Sequence, residues 1–335
     1  MISVVLPSYN RADLLPEALD RVLTQTLTPA EIIVIDDGSR DATREVLETY
    51  GSRVTAITIV NSGELVARNT GLRTATGDLV AFCDSDDLWE ANHLELMAQF
   101  WAEGAGPLCA YADFREVRDG QWAEITKFDS APLGYWDDLT SIDDEHGWFS
   151  RPLITKLLAF QPFFPSSMVV DRARFLALGG WDEGVSRMVG CDFATTLRIA
   201  EHPPIGVLRR ATVGIRKHAG NFSGDVQRMN LGDADVLEYV LHSRPALKIY
   251  DDAIRRSIEF RRLAAFDTAF TRGDFIGLGG IIAKLGSPRL SRRRQMKQIV
   301  AALPGALRAP IWSMLTRFSS PAPAPCKTDS ASSHP

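Results

Sequence analysis

The chain has 335 residues, 45% of them hydrophobic and 24% charged, with a net charge of −5 at pH 7. Such totals describe a globular protein of one large or two moderate domains, and the acidic balance argues against nucleic acid as a partner. No apolar run reaches the roughly 18 residues of a membrane span, no basic leader opens the chain, and Cys83, Cys109, Cys191 and Cys326 lack paired metal-site spacing and suit a reducing cytosol.

Ile2-Ser-Val-Val-Leu6 reads as a buried strand ended by Pro7, which has no N–H for a ladder. The loop Ser8-Tyr-Asn-Arg11 leads to Leu14, Leu15, Ala18, Leu19, Val22 and Leu23 at helical spacing. Ile32-Ile-Val-Ile35 predicts a second buried strand, closed by Asp36-Asp-Gly-Ser39, and Asp41 is placed to cap a helix over 42–50. A third strand is expected at 54–60 and a third helix at 65–76, stopped by Gly77. Leu79-Val-Ala-Phe82 gives the fourth strand. Alternating strands and helices predict right-handed crossovers and a mostly parallel sheet covered on both faces. Ligands on such sheets lie beyond the carboxyl ends of the strands, here residues 7–11, 36–39, 61–68 and 84–87.

The last of these segments is the densest in charge. Asp84, Asp86 and Asp87 follow a buried strand with only Ser85 between them. Carboxylates at about 4 Å repel by roughly 4 kcal/mol at a near-surface dielectric. Either a hard divalent cation shares the site with phosphate oxygens and water, or this is an acidic turn with one Asp capping the next helix.

Farther along, residues 89–103 read as helix, 108–117 as a strand with 122–128 as its hairpin partner, and 134–148 as an irregular loop. A strand is expected at 163–170, a helix at 172–178 ended by Gly179, a helix at 193–200 and a strand at 205–215. From Val226 helical periodicity runs to about Phe318, and the Pro/Ala/Ser-rich 319–335 reads as disordered.

Five motifs in register, Val4-Val-Leu-Pro-Ser-Tyr-Asn-Arg11, Ile35-Asp-Asp-Gly-Ser-Arg-Asp41, Ala67-Arg-Asn-Thr-Gly71, 77–87 and Gly179-Gly-Trp-Asp-Glu183, resemble the family-2 glycosyltransferases. The resemblance covers about the first 220 residues. It implies a GT-A fold, an α/β architecture with a Rossmann-like, mostly parallel sheet and here a C-terminal helical extension. The domains it suggests are residues 1–225, divided into a nucleotide-binding half (1–105) and an acceptor half (106–225), then a basic helical region (226–318) and a disordered tail (319–335).

The resemblance also implies an inverting transfer from a nucleotide-sugar donor. Pro7, Tyr9, Arg11, Asp36 and Arg68 match positions that hold the nucleotide, with Tyr9 against a base face and Arg68 toward the pyrophosphate. Asp84 and Asp86 match the D-x-D that reaches ribose or sugar and holds Mg²⁺ or Mn²⁺, and His218 matches a position near that metal. Trp181, Asp182 and Glu183 match the sugar and acceptor pocket. Asp192, in Gly190-Cys-Asp-Phe-Ala194, falls on the general base, although Cys191 and Ala194 replace two acids of the family pattern. Asp192 also suits an N-cap, Trp181 a core aromatic and His218 a structural role.

No acidic residue occurs between Asp274 and Asp329, while Lys284, Arg289, Arg292, Arg293, Arg294, Lys297, Arg308 and Arg317 alternate there with Ile299, Val300, Leu303, Leu307, Ile311, Trp312, Leu315 and Phe318. This pattern fits an anionic membrane surface or a helical cap with a solvated basic face. The reading is therefore an inverting glycosyltransferase in cell-surface polysaccharide synthesis, UDP-linked by family habit, with a glycan or lipid-linked acceptor. It would be cytoplasmic, or peripheral on the inner face of the membrane. The alternatives are a catalytically impaired nucleotide- or glycan-binding protein on the same fold and, more distantly, a nucleotidyltransferase.

Overall fold

The computed structural model of the chain describes residues 1–102, 104, 106–218, 220, 224–286 and 290–317. The chain folds as two compact units, Met1–Arg261 and Arg262–Pro335. The first unit begins with β1 (Ile2–Ser8), α1 (Leu15–Leu23), β2 (Glu31–Asp36), α2 (Thr43–Tyr50), β3 (Thr55–Thr58), α3 (Glu64–Thr74), β4 (Leu79–Phe82), β5 (Leu88–Trp89) and α4 (His93–Ala98). It continues with β6 (Cys109–Arg118), β7 (Gln121–Trp122), β8 (Leu139–Ser141), β9 (His146–Phe149), α5 (Ile154–Ala159), β10 (Met168–Asp171), α6 (Arg172–Ala177), α7 (Asp192–Ala200), β11 (Ile205–Arg216) and α8 (Val226–Ser243).

The strands form one sheet in the order β3-β2-β1-β4-β10-β6-β11-β9-β8, with β5 beside β11 and β7 beside β6. The pairs among β1 to β4 are parallel, as is β6 with β11, and β10 enters antiparallel between β4 and β6. The parallel pairing is thus continuous across β3-β2-β1-β4, and the whole sheet is mixed. Alternation along the buried strands divides the core. Val5, Ile33, Ile35, Val80 and Phe82 face Leu65, Ala67 and Leu72 of α3. Val4, Leu6, Ile32, Val34 and Ala81 face α1, α2 and α4 on the other side. Covered on both faces, these strands need apolar residues at nearly every position.

Several expected elements take a different form. Pro7 does not end β1, which pairs through Pro7 with Ile35 and Ser8 with Asp36. The missing N–H lies on the β4 side, where β4 has already stopped opposite Val5, so the proline costs the ladder nothing. The 89–103 segment starts as β5, paired with Val213 and Gly214, before a short helix. The 134–148 loop contains β8 and β9, and β9 is aligned by β11, a distant partner that local polarity cannot reveal. The hairpin partner expected over 122–128 is only Gln121–Trp122. Helix α3 stops at Thr74 rather than at Gly77, whose N–H instead donates to Ser3 Oγ at 2.9 Å.

The second unit comprises the later part of α9 (Asp251–Arg272), then α10 (Phe275–Leu285), α11 (Arg292–Ala302) and α12 (Gly305–Arg317). Asp267 binds Arg294 at 2.7 Å and Lys297 at 2.6 Å, Arg308 lies over the Phe275 ring, and Trp312 Nε1 donates to Phe270 O at 2.6 Å. Part of the basic series therefore holds the helices together. Ile299, Leu307, Ile311 and Met314 are exposed. Arg289, Phe318 and the 319–335 segment lie outside the described residues. Among those described, no helix is long and apolar enough to cross a membrane.

Candidate active site

The loops beyond β1, β2 and β4 converge, as the sheet topology requires. Asn10 adopts a positive φ of 51°. Its N–H donates to Ser39 Oγ at 2.9 Å, and its own Oδ1 accepts from Arg40 N at 2.8 Å. Arg11 N donates to Thr43 Oγ1 at 3.0 Å, and Asp41 accepts from Ala12 N and from Thr43 in the first turn of α2. The loop after β1 is thereby fastened to the loop after β2. Tyr9 stands clear of this seam at 41% exposure, a face against which a base can stack. Asp36 is buried and accepts from Ser39 N at 2.9 Å through Oδ1. Asp37 accepts from Ser62 N at 2.7 Å and Gly63 N at 2.9 Å, which aims the chain into α3.

Helix α3 is the hub. It is buried on most sides, including the polar Arg68 and Asn69. Arg68, 1% exposed, places Nη2 2.6 Å from Asp84 Oδ1 and Nη1 3.5 Å from Glu64 Oε1. Its guanidinium lies over the Trp181 ring at 5.0 Å. Burial pushes the Asp84 carboxyl up and the adjacent Arg68 opposes this; burial acts to lower the arginine, and Asp84 and Glu64 outweigh it and raise the guanidinium. Asn69 spans to residues 181–183: Nδ2 donates to Trp181 O at 2.9 Å and Glu183 Oε1 at 2.8 Å, and Oδ1 accepts from Trp181 N at 2.8 Å.

The carboxylates after β4 separate into different roles. Asp86 Oδ2 lies 3.3 Å from Arg11 Nε and 3.1 Å from His218 Nε2. Asp87 is buried, accepts from Ser166 Oγ at 2.5 Å and Arg216 N at 3.1 Å, and is held well up by burial and by Asp86 and Asp84. It ties three segments together. Arg216 bonds Asp86 O, Leu14 O and Glu17.

Among the described residues no three of His, Cys, Asp and Glu converge as metal ligands. Asp84 turns to Arg68, which leaves Asp86 and His218 as a pair. They hydrogen-bond each other at 3.1 Å, close enough together for both to ligate one divalent ion if it were bound. His218 Nδ1 accepts from Gly220 N at 3.1 Å, so ligation through Nε2 would require the other tautomer. The donor set fits a Mn²⁺- or Mg²⁺-type ion on these terms.

Asp192 is the first residue of α7, and Cys191 rather than Asp192 is its N-cap. Burial and the neighbouring Glu64 push the Asp192 carboxyl up to about 7, with Arg68 opposing and Asp233 adding to the rise. A base poised near neutrality is the expected property of a general base. Trp181 is 2% exposed between Phe82 and Phe175, at ring distances of 5.1 and 5.9 Å. The structure therefore places it in the core instead of on a sugar face. Asp182 accepts from Tyr239 OH at 3.1 Å, and Glu183 serves Asn69. Glu64, Ser166 and Asp233 are not legible as site residues in the sequence, because each acts across the fold from a segment without a motif.

A family model described as Glycosyl transferase family 2 matches residues 3–163. The chain is 40% identical over 116 residues to the putative teichuronic acid biosynthesis glycosyltransferase TuaG of Bacillus subtilis, covering 33% of this chain and 45% of that one. It is 43% identical over 98 residues to the Escherichia coli UDP-Glc:alpha-D-GlcNAc-diphosphoundecaprenol beta-1,3-glucosyltransferase WfgD, covering 29% of this chain and 39% of that one. The match thus spans less than half the length of either relative. Staphylococcus aureus TarS 1-349 in complex with UDP-GlcNAc superposes with a TM-score of 0.56 at 18% identity, over 92% of this chain and 83% of that one. The mannosyltransferase PcManGT of Pyrobaculum calidifontis, in complex with GDP-Man and Mn²⁺, gives 0.52 at 16% identity, over 96% and 88%. Both share the GT-A fold.

Proposed function

Through residues 3–163 the chain belongs to glycosyltransferase family 2, and from that premise we propose that it moves one sugar, with inversion, from a UDP-linked donor to a glycan or lipid-linked acceptor hydroxyl in surface polysaccharide assembly. The observation that carries this reading is the meeting, through α3, of a donor-side set (Arg11, Arg68, Asp84, Asp86, His218) with an acceptor-side carboxylate, Asp192, raised to about 7.

Tyr9 stacks on the base, Asp36 and Pro7 line its edge, and Arg68 with Arg11 faces the diphosphate. The acceptor hydroxyl attacks the anomeric carbon opposite the leaving diphosphate. Its oxygen forms the new glycosidic bond as the old anomeric C–O bond breaks, and Asp192 takes the proton. Asp86 and His218 would hold a divalent cation, which supplies Lewis-acid compensation of charge on the leaving diphosphate. Asp182 and Glu183 border the acceptor side. The donor assignment draws on the UDP-linked names among the relatives and neighbours, and the acceptor class on the diphosphoundecaprenol substrate of one relative.

The test is release of nucleoside diphosphate from a panel of nucleotide sugars with Mn²⁺, with and without extracted polyprenyl-diphosphate glycans. Acceptor-stimulated release from one UDP-sugar supports the proposal. Donor binding without release under any condition favours a binding protein instead, and pyrophosphate release favours nucleotidyl transfer.

We also propose that the second unit meets the anionic inner face of the membrane. Leu307, Ile311 and Met314 project at i, i+4 and i+7 from α12 and are exposed, and no acid interrupts the surrounding basic series. Sedimentation with phosphatidylglycerol vesicles but not with phosphatidylcholine vesicles, lost in the Leu307→Asp/Met314→Asp variant, is the expected result. Equal binding to both vesicle types, or to neither, contradicts it.

A further inference from the structure

The short run around Asp192, Gly190-Cys-Asp-Phe-Ala194, contains no second acid, yet the folded site holds two. Glu64, the first residue of α3, brings Oε1 to 3.0 Å from Cys191 Sγ. Burial pushes the Cys191 thiol up, so it stays S–H and is the donor in this contact. The same Glu64 oxygen lies 3.5 Å from Arg68 Nη1, and the other end of that guanidinium is on Asp84. On the far side Asp233 of α8 packs against Gly190 and is paired with Arg261 at 2.8 Å. The charged and titratable groups facing Asp192 are thus Glu64 and Arg68 from α3 and Asp233 from α8, with Cys191 beside it and Tyr111 of β6 near it.

Glu64 differs from Asp233 in what it joins. Asp233 is neutralised by an arginine with no role at the donor. Glu64 is half-exposed and touches both the residue that precedes Asp192 and the arginine that holds the donor-side carboxylate. We infer that Glu64 is the positioning residue of this transferase's base: it fixes the Cys191–Asp192 turn through the thiol and supplies, from a distant helix, the like charge that keeps Asp192 a strong proton acceptor. The inference rests on Asp192 being the base. It adds that the acid absent beside Asp192 in the sequence is restored in space from position 64.

The arrangement also gives the charge a defined direction. A carboxylate beside a second carboxylate raises its proton affinity, and a guanidinium shared between them limits the rise. Replacing Glu64 by Gln removes the like charge and leaves Arg68 facing Asp192 with less to neutralise it. Both changes move Asp192 toward the ordinary carboxylate value.

The experiment reads Asp192 directly by carboxyl ¹³C NMR titration of the full-length protein, assigned by loss of the signal in Asp192→Asn. It is paired with the pH profile of kcat/KM for the acceptor. Glu64→Gln is expected to lower the Asp192 midpoint, and the acid limb of the profile, by about half a pH unit or more, with donor Kd within about three-fold of wild type. Glu64→Asp should keep most of the shift. The double variant Glu64→Gln/Cys191→Glu, which moves the carboxylate across the 3.0 Å contact, should restore the midpoint. An unchanged midpoint in folded Glu64→Gln, or a double variant that titrates like Glu64→Gln alone, overturns the inference. Absence of turnover in the wild type would instead count against the transferase reading, and the NMR titration would still decide the role of Glu64.

Discussion

Arg68 Nη2 stands 2.6 Å from Asp84 Oδ1, and the arginine is 1% exposed. A helix and the end of a central strand are thus locked by one largely buried ion pair, and that pair fixes the spacing between the loop after β4 and α3. Removing one partner of such a pair leaves an uncompensated buried charge, at a cost of about 3–5 kcal/mol. Arg68→Met should therefore lower stability by an amount of that order in urea unfolding. Arg68→Lys, which keeps the charge but loses the fork, should fold and raise the donor KM about ten-fold or more. A fully stable Arg68→Met would contradict the account of α3 as the hub.

Asp86 and His218 make a different prediction. If they share a cation with the donor diphosphate, Asp86→Asn should raise the Mn²⁺ concentration for half-maximal turnover about ten-fold or more, as losing a ligand does. His218→Ala should do the same to a smaller extent, and EDTA should abolish turnover. Asp87, which accepts from Ser166 and Arg216, serves the framework. Asp87→Asn should lower thermal stability without changing that Mn²⁺ midpoint.

The pH dependence of stability follows from Asp192. Its folded value of about 7 lies above the ordinary 3.8, so folding disfavours its ionised form. The penalty is absent below about pH 4, grows as pH rises through the interval and is complete above about 7. Asp192→Asn should thus be no more stable than wild type at pH 4 and more stable at pH 8, by about 1–3 kcal/mol. Equal differences at both pH values would show that the carboxyl is not held up.

Trp181 tests the division between core and pocket. Enclosed by Phe82 and Phe175 with Arg68 over its ring, it should cost about 3–5 kcal/mol on replacement by alanine, while Trp181→Phe should retain acceptor KM. A stable Trp181→Ala with a raised acceptor KM would return it to the sugar pocket.

What the sequence revealed and what it concealed have physical causes. The doubly covered strands β1, β2 and β4 announce themselves as apolar runs, and the polar residues beyond their ends mark the loops that converge in the fold. Strands β5 and β9 are aligned by β11 from far along the chain, and β8 is aligned in turn by β9, so their own residues give little period. The separate duties of Asp84, Asp86 and Asp87 depend on Arg68, His218 and Ser166, which the carboxylate spacing cannot name. Glu64 follows a glycine turn without any motif, and only the fold carries it to Cys191.

The central claim is that Asp192 performs the proton transfer while the donor side binds independently of it. The most direct measurement compares Asp192→Asn with wild type for UDP-sugar binding by calorimetry and for acceptor-dependent UDP release. The account predicts donor Kd within about three-fold of wild type and turnover reduced by about 10²–10⁴-fold, the range general-base catalysis supplies. Turnover within ten-fold of wild type, with the protein folded and the donor bound, would contradict it.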